Sequence, residues 1–75
     1  FTVVDKIEIL ERGQVQVRTA TVVDEDGVEL SRSYHRHVLA PGDDISSEDS
    51  RVAAVADAAW TSDVVSAWDA FTAAS

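Results

Sequence analysis

The chain has no cysteine and no methionine, one proline, Pro41, and three glycines among its 75 residues. Without cysteine, neither a disulfide nor a thiolate metal site can form. Basic residues are scarce as well. Six lysines and arginines stand against fourteen acids, a formal net charge of -8, and that balance repels phosphate backbones and anionic lipid surfaces. Nucleic acid and membranes are therefore poor partners. No apolar run approaches the roughly 20 residues of a membrane span, and no basic-then-apolar leader is present. A soluble protein is expected. A chain this short buries only about 60% of the surface its unfolded form exposes, and with disulfides excluded, assembly is the expected supplement to a small core. The chain opens on Phe1 and has no methionine, as expected of a chain that has either lost its initiator or been cut from something longer.

Composition shifts along the sequence. β-Branched and charged residues dominate before Pro41 and alanine after Arg51, which reads as a β half followed by an α half. In FTVVDKIEIL the residues Val3, Ile7 and Ile9 fall at alternate positions, as do Val15, Val17 and Val23 in QVQVRTATVVD. Period two predicts half-buried strands. Glu11-Arg12-Gly13 suits a three-residue loop with glycine in its left-handed position, and that loop sets Ile9 opposite Val15 and Ile7 opposite Val17. Asp26-Gly27 is a type I′ signal. It pairs Glu25 with Val28 and Val23 with Leu30, and starts a third strand. In that strand Val28, Leu30, Arg32, Tyr34, Arg36 and Val38 share one face and Glu29, Ser31, Ser33, His35 and His37 the other.

Pro41-Gly42 ends the strand. Ser46 or Ser47 is the expected cap of a first helix, with Glu48 and Asp49 in its first turn and Val52, Val55, Ala56, Ala59 and Trp60 as its apolar stripe. Thr61 or Ser62 caps a second, with Asp63 in the first turn and Val64, Val65, Trp68 and Phe71 facing inward. From Thr72 to Ser75 little holds the tail, and fraying is expected. The predicted fold class is α+β: a single domain, 1–75, with a three-stranded antiparallel β-meander over about 3–39 and two short α-helices over about 47–60 and 62–73, covering one sheet face. Its only expected hinge is the acidic turn from Pro41 to Asp44.

Chemistry-bearing residues are few. His35 and His37 share a strand face, but zinc wants three or four ligands, and Glu29, Asp24 and the acidic turn supply no diagnostic spacing. Two partly exposed histidines beside Arg18 and Gln16 are the expectation, with no metal and no cofactor. The cluster Asp43, Asp44, Glu48 and Asp49 lacks the alternation of a calcium loop and reads as a helix start. No serine stands in a nucleophile elbow and no carboxylate pair has an obvious pocket, so no enzyme and no small-molecule substrate are expected. Arg32, Tyr34 and Arg36 form a line of donors. Either they anchor a partner, or their stems cover the apolar sheet face while their heads pair with Asp5, Glu8 or the helix acids. Trp60, Trp68 and Phe71 are expected in the core.

The hairpin IEIL-ERG-QVQVRTAT, the phrase SRSYHRHVLAPGDD and the junction AAW-TSDVV resemble a group of small proteins encoded by tailed bacteriophages, often near tail genes. The resemblance spans most of the chain and is most specific from Tyr34 to Asp44. It implies a virion component or tail-associated accessory protein, with other phage structural proteins and copies of itself as partners, located in the tail region and soluble in the host cytoplasm before assembly. The runner-up is a free acidic accessory protein that mimics nucleic acid as an inhibitor.

Overall fold

A computed structural model describes residues 1–74. Leu10 N–H donates to Gln14 O at 2.8 Å and Gly13 N–H to Leu10 O at 3.0 Å. The loop these bonds close ends on Gly13 at φ +90°, a conformation that glycine adopts without steric penalty. It joins β1 (Thr2–Ile9) to β2 (Val15–Glu25) with Ile9 opposite Val15 and Ile7 opposite Val17, the register the loop length predicts. Asp26 (φ 51°) and Gly27 (φ 79°) then make the type I′ turn into β3 (Val28–Leu39). Strand order is β1-β2-β3, antiparallel throughout. Two helices follow, α1 (Ser50–Ala59) and α2 (Ser62–Ala73). The fold is α+β.

Two bulges separate this sheet from the alternation read in the sequence. On β1, Asp5 is an extra residue between Val4, opposite Thr19, and Lys6, opposite Arg18. The parity of the strand therefore reverses there: Val4, not Val3, packs with Ile7 against the core, and Asp5 joins the opposite face. On β3, Leu30 is the extra residue, between Glu29 opposite Asp24 and Ser31 opposite Val23. The expected pairing of Val23 with Leu30 is replaced, and every later pair slips by one. Such a slip exchanges faces. His37 and His35 now stand opposite Val17 and Thr19, while Arg36 and Tyr34 stand opposite Arg18 and Ala20.

α2 lies against the Glu11–Gly13 turn and has no buried residue, so Val64, Val65, Trp68 and Phe71 do not form the inward stripe expected of them. α1 covers the face that carries Val15 and Val17. Both are fully buried with Val52 and Ala56 of α1, and Val4, Ile7, Leu39, Ile45 and Trp60 pack around them. Pro41-Gly42 turns the chain from β3 toward the helices, with Asp43 N–H donating to Ala40 O at 3.0 Å and Gly42 at φ +93°. The first helix starts later than expected. Asp44 Oδ1 takes Ser46 N–H at 2.9 Å and Glu48 N–H donates to Ile45 O at 3.1 Å, so Ser46 and Ser47 are spent in turns. Asp49 is the cap, its Oδ1 accepting Arg51 N–H at 2.8 Å, and the first helical turn contains no acid. Thr61 caps α2 as expected, with Asp63 in the first turn. That helix continues through Ala73, past the point where a frayed tail was expected; Ser75 lies outside the described residues.

The body is elongated, 51 × 23 × 18 Å with a radius of gyration of 15.3 Å, against about 11 Å for a compact chain of this length. The cause is a mismatch of lengths. A ten-residue helix spans about 15 Å, whereas an eleven-residue strand spans about 36 Å. The far end of the β2–β3 ribbon is left bare, and Phe1, Val23, Val28 and Leu30 are all more than half exposed there. Among the described residues no helix is long and apolar enough to cross a membrane.

Candidate interaction surface on the open sheet face

The face away from the helices gathers charge around a small apolar floor. Ala20 and Val22 are buried on it, outside the cluster formed by Val15 and Val17. Arg18 grips Asp5 with two hydrogen bonds, Nε to Oδ1 at 3.0 Å and Nη2 to Oδ2 at 2.9 Å. This bidentate geometry fits a planar guanidinium to a carboxylate. The Asp5 bulge makes it possible by bringing the carboxylate onto the Arg18 face. The same guanidinium stands 4.5 Å from the ring centre of Tyr34. Arg32 Nη2 donates to Glu29 Oε1 at 2.8 Å and Arg32 Nη1 lies 3.9 Å from Asp5 Oδ2. The Leu30 bulge accounts for the Glu29 contact, since it reverses parity between two residues expected on opposite faces. Hydrogen bonding from Arg18 holds the Asp5 carboxyl below its ordinary range, and hydrogen bonding from Arg32 does the same for Glu29.

The three residues expected to contact a partner are thus placed together but differ in state. Arg32 is engaged by Glu29 and Asp5. Tyr34 is 49% exposed, its ring against the Arg18 guanidinium. Arg36 has no hydrogen-bond or ion-pair partner among the described residues; with Lys6, Glu8, Gln16 and Arg18 it rims a hollow of about 20 Å³, room for about one water. Four of the six basic side chains, Lys6, Arg18, Arg32 and Arg36, line this face. The sequence reading missed Arg18 as a member, because the unshifted register set it beside the histidines.

The histidines lie on the helix side. Their rings stack at 6.4 Å, and His37 Nε2 donates to Glu48 Oε1 at 2.8 Å. No group of three or more His, Cys, Asp or Glu among the described residues is placed to hold a metal ion. Between the Glu11–Gly13 loop and α2 runs an open groove of about 650 Å³ lined by Ile9, Leu10, Val64 and Trp68. The Arg12 guanidinium sits 3.8 Å over the Phe71 ring at its edge. Trp60 is half-buried and its indole N–H donates to Gly13 O at 2.7 Å; Phe71 is 42% exposed and not a core residue as expected.

No protein-family model, no curated protein and no solved structure matches the chain.

Proposed function

We propose that this protein is a non-enzymatic structural or accessory subunit of a bacteriophage virion, tail-associated, that works by contact between proteins through its open sheet face. The observation that carries the reading is the pairing of a half-exposed Tyr34, its ring against the Arg18 guanidinium, with an adjacent Arg36 that has no hydrogen-bond or ion-pair partner among the described residues. Tyrosine and arginine anchors of this kind are where interface energy concentrates. The likeness of Tyr34 to Asp44 to tailed-phage proteins supports the setting, and the small number of buried apolar side chains, six among the described residues, supports assembly as a source of stability. Partners are other phage structural proteins and further copies of this chain. Before assembly the protein is in the host cytoplasm.

A second reading rests on a different observation. After Pro41 seven acids face a single base, Arg51, so the helical layer is strongly anionic and suits a free inhibitor that imitates nucleic acid. Quantitative mass spectrometry of purified particles separates the two. Stoichiometric presence supports the structural subunit; absence from particles, with the chain abundant in infected cells, leaves the free inhibitor.

A further inference from the structure

We infer that the outer edge of β3 pairs with the same edge of a second copy, antiparallel about a twofold axis through His35, to make a continuous six-stranded sheet. The inference adds a named partner to the assembly reading above. It concerns the pure chain, so it can fail or hold without regard to whether the chain enters a particle.

The two edges of the meander are treated differently. Along β1 the Asp5 bulge breaks the edge, Lys6 flanks it, and Arg51 Nη2 from α1 donates to Val4 O at 2.9 Å. These are the usual means by which an edge is closed to pairing. The edge of β3 has none of them from Ser31 to Leu39. Its register with β2 is unbroken there, it contains no proline or lysine, and no hydrogen bond from outside the sheet, among the described residues, reaches its backbone N–H or C=O groups. Phe1 and Val22 exchange hydrogen bonds of 2.9 and 2.8 Å, so Val22 turns its backbone groups toward β1. Alternation along the sheet then turns those of Thr19 and Thr21 toward β3 and leaves Arg32, Tyr34, Arg36 and Val38 with N–H and C=O pointing outward.

Charge selects the register. His35 is the midpoint of the open segment, so a twofold there overlaps all of it, pairing Arg32 with the partner's Val38 and Tyr34 with the partner's Arg36. The second pair occurs twice and gives the unpaired arginine an aromatic face. Moving the axis to Tyr34 sets Arg32 against the partner's Arg36 twice, and moving it to Arg36 sets like against like at the axis itself. Like charges directly opposite are destabilising.

Sedimentation equilibrium of the pure chain at micromolar concentrations reads the association directly, with twice 8.1 kDa as the expected mass. The register is read with cysteines, since the chain has none. His35→Cys sets two thiols opposite each other across a pair not hydrogen-bonded to each other, where Cα atoms approach to about 4.5 Å, within disulfide reach. Mild oxidation is expected to link it covalently, while Ser31→Cys stays unlinked. Tyr34→Glu, which faces the partner's Arg36, tightens the dimer, and Tyr34→Arg weakens it by roughly tenfold. A wild-type chain of monomeric mass throughout overturns the inference. So does a dimer in which the cysteine at position 35 does not link.

Discussion

Gly13 and Val64 meet so closely that the first hairpin turn and α2 behave as one device: a β-carbon at position 13 would lie 2.6 Å from Val64 Cγ1. The glycine is also at φ +90°, and its carbonyl accepts the Trp60 indole. Gly13→Ala is therefore expected to cost at least about 2 kcal/mol and to lift α2 from the turn, with tryptophan fluorescence and denaturant midpoint moving together. Gly27, whose β-carbon would meet nothing within 4 Å, serves as the control. Gly27→Asn, which tolerates a left-handed backbone, is expected to change the midpoint much less.

Core and ribbon tip should respond differently to the same truncation. Val52 is 1% exposed and Val23 is 52% exposed. Val52→Ala is expected to lower unfolding free energy by roughly 2 kcal/mol, and Val23→Ala by less than about 0.5 kcal/mol. Urea denaturation measures both.

Acid should destabilise the fold through the open face and the caps. Asp5, Glu29, Asp44 and Asp49 all have carboxyl groups held below their ordinary values, by Arg18, Arg32, the Ser46 N–H and the Arg51 N–H respectively. A depressed carboxyl in the folded state contributes stability above its unfolded value, 3.8 for aspartate, and that contribution is lost as pH falls through the lower folded value. Stability from these groups is expected to be level near neutrality and to decline below about pH 4. In Asp5→Asn the decline is shallower, which thermal melts between pH 2 and 7, set by those same values, would register.

Much of this architecture was legible from spacing and turn chemistry. Gly13 and Asp26-Gly27 specify loop lengths, loop lengths specify which residues face each other, and the change from period two to helical spacing after Pro41 separates sheet from helices. The bulges at Asp5 and Leu30 were not legible. A bulge adds one residue without any required residue type, and its reward lies in contacts that strict alternation hides: Asp5 reaches Arg18 on a neighbouring strand, and Glu29 reaches Arg32 three residues on, across a reversed parity. Arg32, Tyr34 and Arg36 were recognised as a row, yet their floor of Ala20 and Val22 and their neighbour Arg18 depended on that one-residue slip. The bare ribbon tip was within reach of simple lengths, because strands of eleven and twelve residues outrun helices of ten and twelve. The cap of α1 moved because serines with nearby acids have competing turns open to them.

The central claim is that the open face with Tyr34 and Arg36 docks this protein into a particle. The most direct measurement is the copy number of Tyr34→Ala/Arg36→Ala in purified virions, relative to wild type, with circular dichroism showing that the variant keeps its fold. At least about a tenfold loss of incorporation, the equivalent of about 1.4 kcal/mol of docking energy, is the predicted result. A folded variant incorporated at the wild-type level would contradict the account.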